Sequence, residues 1–296
     1  MSRHPDPPAL SEAPLAPGLY LVATPIGNLR DITLRALDVL NACDVLLAED
    51  TRVSGKLLAA YQLSKRLERY DEHVADRVTP KILERLEAGE RVAMVSDAGT
   101  PMVSDPGFRL AREAIAAGHQ VFPIPGASAA LAALTLGGLP TDRFLFAGFP
   151  PPKSAARRTF FEELAPVRAT LIFYEGASRV ADSLADMAAV FGPRDAAVAR
   201  ELTKLYETCI RGPLDVLAAD PRFDSPKGEI VILVGPGSEA PVQAGDAESA
   251  LREAMSRLPL GEAASEVAKA LGLPRRDLYR QALALKDAAA GPDEAG

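Results

Sequence analysis

Four short segments of this chain combine small, polar and charged residues in a way that suits a ligand site. They are "ATPIGN" at 23–28, "AEDTR" at 48–52, "VSDAGTPMVSDPG" at 95–107 and "PIPGAS" at 123–128. Each adjoins a short apolar run, rich in β-branched residues, that predicts a buried strand. In open α/β sheets ligands bind beside the carboxyl ends of the strands, so the four segments predict one site.

The longest segment is suited to bring its backbone close to a ligand. Gly99 and Gly107 leave room for that approach. Pro101 and Pro106 limit the conformational entropy that the loop loses on ordering. The acids of these segments could hold a magnesium ion, or they could cap helices and pair with Arg52. Those acids are Glu49, Asp50, Asp97 and Asp105.

Three common catalytic loop patterns are missing from the sequence. None of the segments matches G-x-x-x-x-G-K-[ST], which disfavours nucleotide hydrolysis. "ATPIGN" does not match G-x-G-x-x-G, so an ordinary dinucleotide fold is not expected. There is also no G-x-S-x-G nucleophile elbow. The ligand must therefore belong to another class.

The second half of the chain adds three segments with charge beside apolar runs. They are "FYEGASRV" at 173–180, "ARELTKLYE" at 199–207 and "KGEIVILV" at 227–234. The charges of the second alternate in sign, which is usual for a solvated face. Glu175 and Arg179 are spaced for a local ion pair, which contributes little at a surface.

The elements that would position these segments form two α/β domains. Short β-branched runs at 19–24, 44–49, 92–96 and 120–124 alternate with helical periodicity, which predicts a parallel sheet. After Pro140 a strand, a proline-rich crossing and further strands, one of them over 195–204, predict a second sheet. The spacing of "AASEVAKALGLPRRDLYRQAL" fits a helix-turn-helix or a small packing bundle. The predicted boundaries are a disordered extension at 1–17, α/β domains at 18–140 and 141–235, a linker at 236–246, a helical module at 247–287 and a tail at 288–296.

Composition narrows the class of protein. The 296 residues are 48% hydrophobic and 25% charged, as in soluble globular proteins, and a net charge of -7 means that any RNA contact must be a local patch. Cys43 and Cys209 lie in apolar segments, so we expect no disulfide and a reducing cytoplasm. Since His4, His73 and His119 are scattered, no metal site is predicted. No run approaches the roughly 20 apolar residues of a membrane span, and the amino terminus lacks the apolar core of a signal peptide.

Eight ordered motifs together resemble a known family. They are "VATPIGNLRDIT", "AEDTR", "VSDAGTPMVSDPG", "PIPGASA", "GFPPPK", "FYEGASR", "RELTKLYE" and "KGEIVILV". The chain resembles the 2′-O-ribose methyltransferases of small-subunit (16S) ribosomal RNA within the tetrapyrrole methylase superfamily. The resemblance implies two α/β domains with S-adenosylmethionine in the cleft between them. It also implies methyl transfer to a cytidine ribose in the decoding region, the small ribosomal subunit as partner, and a homodimer.

The resemblance implies a set of cofactor-binding residues. The longest loop would wrap the methionine and ribose parts of the cofactor with Asp97, Ala98, Gly99, Thr100 and Val103. The first and fourth loops would line the cleft with Pro25, Ile26, Ser128 and Ala129. The second domain would close over the adenine with Tyr174, Leu202 and Gly228.

Two local basic clusters could contact RNA in this acidic chain. The first follows the proline-rich crossing and the second lies in the carboxyl-terminal module. They consist of Lys153, Arg157 and Arg158, and of Arg275, Arg276 and Arg280. Either cluster alone could be no more than solubilising charge, whereas phosphate contacts would make RNA binding depend on salt.

Methyl transfer to a ribose hydroxyl needs alignment and a base for the hydroxyl proton. The candidate bases are Asp50, His73, Glu201 and a neutralised Lys204, with Lys204 and Glu201 preferred as orienting residues. One departure concerns His73, because "DEHV" stands where a His-x-His-Asn signature is expected.

Three alternatives share parts of this pattern. A related methylase of a tetrapyrrole or of a modified protein side chain would keep the cofactor loops. A DNA-binding regulator would use only the carboxyl-terminal module, and an RNA-binding scaffold would lack catalysis.

Overall fold

The computed structural model describes residues 10–11, 13–102, 107–237, 244–271 and 273–289. The chain forms two compact units, Met1–Pro236 and Gly237–Gly296. Of the predicted features, Val103, Asp105 and most of the extension at 1–17 lie outside the described residues, as do parts of the linker and of the tail.

The first half of unit one folds around a parallel sheet. Its strands are β1 Gly18–Val22, β2 Val45–Ala48, β3 Leu67–Arg69, β4 Arg91–Val95 and β5 Val121–Ile124. Its helices are α1 Leu34–Ala42, α2 Thr51–Ala60, α3 Ala75–Glu87, α4 Phe108–Ala116 and α5 Ala129–Gly137. The strand order is β3-β2-β4-β1-β5 and every pairing is parallel, so the predicted parallel sheet is confirmed. The prediction missed β3, because this three-residue edge strand reads "LER" and buries none of its residues fully.

The register of this sheet brings its loops to one level. Val22 lies opposite Val95 and Ile124, and Ala48 also lies opposite Val95. The segments that follow β1, β2, β4 and β5 therefore begin side by side. Alternate strand residues pack into two apolar layers on the two faces of the sheet. A slip by one residue would exchange the side chains of the two layers and disrupt the packing of both.

A mixed sheet forms the second half of unit one. Its elements are β6 Phe144–Gly148, α6 Ser154–Leu164, β7 Thr170–Gly176, α7 Val180–Phe191, β8 Asp195–Arg200, β9 Thr208–Pro213, α8 Leu214–Ala218 and β10 Glu229–Val234. The order is β6-β7-β10-β8-β9, with β6 and β7 parallel and the other pairings antiparallel. The predicted strand over 195–204 was too long. It ends at Arg200, because Glu201 and Thr203 adopt φ of 53° and 65°, which a strand does not accommodate.

Helix α5 connects the two sheets. Its Ala130, Ala133 and Leu134 pack on Ile172 and Leu233 of the second sheet. The small alanine side chains allow the helix to lie close to the strands. The turn before α5, which belongs to the first sheet, is therefore held against the second sheet.

Unit two is a three-helix bundle. Its helices are α9 Ala244–Met255, α10 Leu260–Leu271 and α11 Arg275–Ala289. Leu251, Val267 and Leu278 are buried in its core. Helix α9 begins three residues before the predicted start of this module at 247. Within the described part of the chain, no helix has both the length and the apolar character needed to cross a bilayer.

Candidate active site

A pocket of about 240 Å³ opens between the two sheets of unit one. Seven residues predicted to bind the cofactor line it together: Ile26, Ala98, Gly99, Thr100, Ser128, Ala129 and Tyr174. The other lining residues are Phe149, Glu175, Glu229, Ile230 and Val231. Sequence reasoning did not place these five in the cofactor site, although all of them lie in or next to the quoted motifs. The apolar sequences of β7 and β10 predict burial, but they do not show which buried residues face a pocket.

Backbone hydrogen bonds join the loops that form this pocket. The amide of Thr24 donates to the carbonyl of Gly99 at 2.8 Å, and the amide of Gly99 donates to the carbonyl of Thr24 at 3.1 Å. The hydroxyl of Thr100 donates to the carbonyl of Ala127 at 3.2 Å. Gly99 adopts a φ of +80°, which glycine accepts without strain. The pocket wall is thus a rigid assembly of three loops.

Tyr174 ties the second sheet to the same wall. Its hydroxyl accepts a hydrogen bond from the amide of Ala130 at 3.1 Å, in the first turn of α5. Its ring packs edge-on against Phe146, with ring centroids 4.8 Å apart. Ser128 and Tyr174, which were predicted to approach one site, therefore both line this pocket.

The remaining predicted cofactor residues lie around the pocket. Pro25 and Asp97 line a neighbouring hollow of about 310 Å³, which shares Ile26 and Glu229 with the pocket. Leu202 is buried beneath it, in the apolar cluster that also contains Ile26. Gly228 directly precedes Glu229 and is not among the lining residues.

A wider polar groove of about 920 Å³ adjoins the pocket at Phe149. Its charged lining comes from the ends of β2, β3 and β4. These residues are Glu49, Asp50, Arg52, Arg69, Asp71, Glu72, His73 and Asp97. Burial raises the pKa of Glu49, and the nearby carboxylates of Asp97, Asp71 and Glu72 raise it further. The groove is thus mainly acidic.

Asp50 is committed to a structural role at the start of α2. Its carboxylate accepts from the amide of Arg52 at 2.8 Å and forms an ion pair with the Arg52 guanidinium at 2.6 Å. These bonds hold the pKa of Asp50 at about 2. The alternative that the acid caps a helix and pairs with Arg52 is confirmed for Asp50. A carboxylate with so low a pKa is a weak base, so the structure disfavours Asp50 as the proton acceptor.

Lys204 and Glu201 form an ion pair at the edge of the neighbouring hollow. The ammonium of Lys204 lies 2.9 Å from Glu201 Oε1 and 3.1 Å from Glu229 Oε2. Burial lowers the pKa of Lys204, but the hydrogen bonds to Glu201 and Glu229 outweigh it, so this pKa lies above its usual value. The two carboxylates favour the protonated form of Lys204, which disfavours a neutral Lys204 as the base. The arrangement remains compatible with an orienting role.

We expect Glu201→Gln to lower stability at pH 7 but not at strongly acidic pH. The hydrogen bond from Lys204 and the one from the Glu229 amide hold the pKa of Glu201 below its ordinary 4.5. The stabilisation is therefore present above pH 4.5 and is lost as the pH falls through the folded-state value. Urea unfolding at several pH values should show a difference of less than about 1 kcal/mol at pH 7 that vanishes in acid. An equal difference at every pH would contradict the coupling.

Two charged side chains that were expected at the surface, those of Glu175 and Arg157, are buried in ion pairs. The side chain of Glu175 is 0% exposed; it pairs with Arg179 at 2.6 Å and accepts from the Ser183 hydroxyl at 2.5 Å. Arg157, assigned to the first basic cluster, is 3% exposed and pairs with Asp186 at 2.7 Å. Arg157 therefore does not belong to an RNA-contacting surface, because the first turns of α6 face α7.

The other residues of the basic clusters are exposed. Lys153 and Arg158 lie at the start of α6 in unit one. In unit two, Arg275, Arg276 and Arg280 lie in the first turns of α11, and Arg280 pairs with Asp277 at 2.5 Å. Because these side chains are exposed, phosphate groups could reach them.

The described residues contain no group of three or more His, Cys, Asp or Glu side chains arranged to hold a metal ion. The site instead combines an apolar pocket, walled by backbone loops, with an adjoining polar groove. Such a pair of cavities suits the transfer of a group from an amphipathic donor in the pocket to a polar acceptor in the groove.

Comparison with known families identifies the fold. The family model for tetrapyrrole (corrin/porphyrin) methylases matches residues 18–218, and the model for the RsmI C-terminal HTH domain matches residues 241–286. Among solved structures, a uroporphyrin-III-C-methyltransferase from Thermus thermophilus has a TM-score of 0.52 at 23% identity, covering 73% of this chain and 93% of its own. A diphthine synthase has a TM-score of 0.57 at 17% identity, covering 73% and 89%. At these identities the likeness shows the fold alone.

Curated relatives are much closer in sequence. Proteins named ribosomal RNA small subunit methyltransferase I are 52% identical in Mesorhizobium japonicum and 54% identical in Erythrobacter litoralis. Both alignments cover 93% of this chain, and they cover 94% and 98% of the relatives. The relative of that name in Escherichia coli O157:H7 is 43% identical over 90% of this chain. The two-sheet methylase fold with a terminal helix-turn-helix domain is thereby confirmed, and this chain belongs to the tetrapyrrole (corrin/porphyrin) methylase family.

Proposed function

We propose that this methylase transfers a methyl group from S-adenosylmethionine to the ribose 2′-oxygen of a cytidine in the decoding region of 16S ribosomal RNA. The observation that carries the proposal is the identity of 52% and 54%, over 93% of the chain, to proteins named for methylation of small-subunit ribosomal RNA. The small ribosomal subunit is then the partner, and the reaction takes place in the cytoplasm. A homodimer is part of the proposal.

The lining of the pocket fits S-adenosylmethionine. Ile26, Ala98, Ile230 and Val231 offer apolar contacts, and the loop at Gly99 presents backbone without a side chain. When bound, this cofactor supplies an electrophilic methyl group on a cationic sulfur. Its polar parts need hydrogen-bonding groups, which the loop backbones after β1, β4 and β5 offer. The hollow at Pro25 and Ile26 extends the space beyond 240 Å³ and gives a second end for an elongated ligand.

The side chains of this chain orient the acceptor and receive its hydroxyl proton. In-line displacement needs the acceptor oxygen held opposite the leaving sulfur, and positioning of this kind can supply much of the rate. The charged pair of Lys204 and Glu201 stands at the hollow next to the pocket, where it orients polar groups. For the hydroxyl proton we retain His73, whose exposed side chain lines the groove. The substitution of "DEHV" for the expected signature does not remove this residue from the site.

RNA would be held by phosphate contacts outside the acidic groove. In unit one the exposed candidates are Lys153 and Arg158; in unit two they are Arg275, Arg276 and Arg280. Phosphate contacts position a nucleic acid without reading its sequence, so they would supply affinity while the groove selects the nucleotide. Arg157 is buried and therefore cannot contact phosphates.

Methyl transfer from labelled S-adenosylmethionine tests the function. We expect label to enter assembled small subunits, and digestion of their RNA to nucleosides should yield 2′-O-methylcytidine. Naked ribosomal RNA and uroporphyrinogen serve as competing acceptors, at equal concentration. Label on uroporphyrinogen alone would support the tetrapyrrole alternative. Label on a base instead of a ribose would contradict the proposed acceptor atom. Cofactor binding without transfer to any acceptor would favour a scaffold.

A further inference from the structure

Phe149 stands at the boundary between the two cavities. It is the residue directly after β6, and it lines both the 240 Å³ pocket and the 920 Å³ groove. The residue is 55% exposed. A single exposed phenylalanine on a surface is common, whereas a phenylalanine that lines two adjoining cavities can contact a molecule bound in either of them.

One contact of the ring and several contacts of the residue that follows it restrain Phe149. Phe149 packs edge-on against Tyr174 with ring centroids 5.6 Å apart and an interplanar angle of 67°. The following residue, Pro150, is buried, and its carbonyl accepts from the Arg179 guanidinium at 3.4 Å. Arg179 is itself fixed by the buried carboxylate of Glu175. The proline run after Phe149 further restricts the backbone. The ring is thus preorganised although a large part of it faces solvent.

The charge of the groove limits what can lie against the ring. Its carboxylates, including Glu49, Asp71 and Asp97, repel phosphate groups. The two arginines of the groove are paired with carboxylates, Arg52 with Asp50 and Arg69 with Asp71. An uncharged part of a nucleotide is therefore favoured here over its phosphates.

The proposed reaction places one such part next to Phe149. The base of a nucleotide is attached to the ribose carbon adjacent to the one that bears the 2′-oxygen. A ribose whose 2′-oxygen points into the pocket has its base on one neighbouring carbon and its 3′-phosphate on the other, and the acidic groove favours the base at the boundary. Unpaired RNA bases commonly stack on aromatic side chains. We propose that Phe149 is the stacking platform for the base of the target nucleotide, an inference that rests on the proposed function.

The sequence offers a sharp spectroscopic test, because the chain has no tryptophan. Phe149→Trp keeps an aromatic ring at this position and places a single indole at the platform. With 5-hydroxytryptophan incorporated, which is excited at longer wavelengths than the tryptophans of ribosomal proteins, its emission should be quenched when small subunits are added. Phe144→Trp is the matched control: Phe144 lies on the same strand and is 47% exposed, but it lines neither cavity. Its emission should not change.

Phe149→Leu separates stacking from apolar packing. The kcat/KM for assembled subunits should fall by about 5- to 150-fold, the range typical of a lost base–aromatic contact. The affinity for S-adenosylmethionine in calorimetry should change by less than about threefold, and Phe144→Leu should behave as the unsubstituted protein. Full activity of Phe149→Leu, or an unquenched indole in an active Phe149→Trp, would overturn the platform. Loss of cofactor affinity in Phe149→Leu equal to the loss of activity would assign the ring to the cofactor instead.

The proposed function is tested separately by the unsubstituted protein. If it methylates subunits while the Phe149 variants behave as their controls, only the platform is wrong. If it transfers no methyl group to subunits, the function and the platform both fail.

Discussion

Replacing Gly99 by valine should weaken S-adenosylmethionine binding at least tenfold. Gly99 lines the pocket, and a Cβ built on it would lie 3.4 Å from Ile26 Cγ2 and 3.7 Å from the carbonyl of Ala127. The two further methyl groups of valine would have to enter the pocket or displace these neighbours. Isothermal titration calorimetry measures the change directly. Because the φ of +80° is unfavourable for a β-branched residue, some stability should be lost as well.

Gly89 provides a matched control for that backbone strain. Its φ is +81°, and a Cβ built on it would meet nothing within 4 Å. Gly89→Val should therefore lower the melting temperature to a similar degree but leave cofactor affinity unchanged. If Gly99→Val and Gly89→Val bind S-adenosylmethionine with equal affinity, the loop that contains Gly99 does not belong to the cofactor site.

Replacing Arg157 by alanine should lower the free energy of unfolding by about 3–5 kcal/mol, as is usual when one partner of a buried ion pair is removed. Arg157 Nε donates to Asp186 Oδ2 at 2.8 Å, and the Ser154 hydroxyl donates to Oδ1 at 3.0 Å. Without the guanidinium, the carboxylate of Asp186 would remain buried with a neutral partner only. Urea denaturation at neutral pH measures the effect. The double replacement Arg157→Met with Asp186→Leu should recover much of the loss, because no charge is then buried.

The exposed basic residues next to Arg157 should behave differently. Lys153→Ala with Arg158→Ala should leave the free energy of unfolding within about 0.5 kcal/mol of its original value. If these residues contact phosphates, this variant should bind small subunits more weakly and with a flatter dependence on salt. A stable Arg157→Ala variant with weakened RNA binding would contradict the structural role of Arg157. Unchanged salt dependence of the double variant would place the RNA contacts elsewhere.

Local sequence was sufficient for the elements that follow a regular pattern. Short apolar runs predicted β1, β2, β4 and β5. The first three are buried at nearly every position, as suits strands covered on both faces, whereas β5 is an edge strand with one buried residue. The parallel arrangement followed from their alternation with helices, and the loops after these strands followed from glycine and proline. The motifs in these loops also carried the resemblance that comparison with the methylase family confirms.

Tertiary structure decided whether a charged side chain is buried. The spacing of Glu175 and Arg179 predicted a local pair, but only the packing of α7 on β7 shows that the carboxylate is enclosed and bonded to Ser183. Arg157 and Arg158 are neighbours in sequence, yet one faces Asp186 on α7 and the other faces solvent. The burial of a side chain depends on which element packs against its face of the helix, and the residues of the helix alone do not specify that element.

The chain by itself therefore determined which loops could form a ligand site, since strand ends, glycines and prolines are local features. It did not determine that Phe149 and Glu229 join Gly99 around one pocket, because these residues are far apart in sequence and belong to different sheets. Nor did it show that Lys204 lies beside two carboxylates, one of them on β10, which raise its pKa. Both outcomes required the packing of α5 on the second sheet and the turn after β8, where long-range contacts override local pattern.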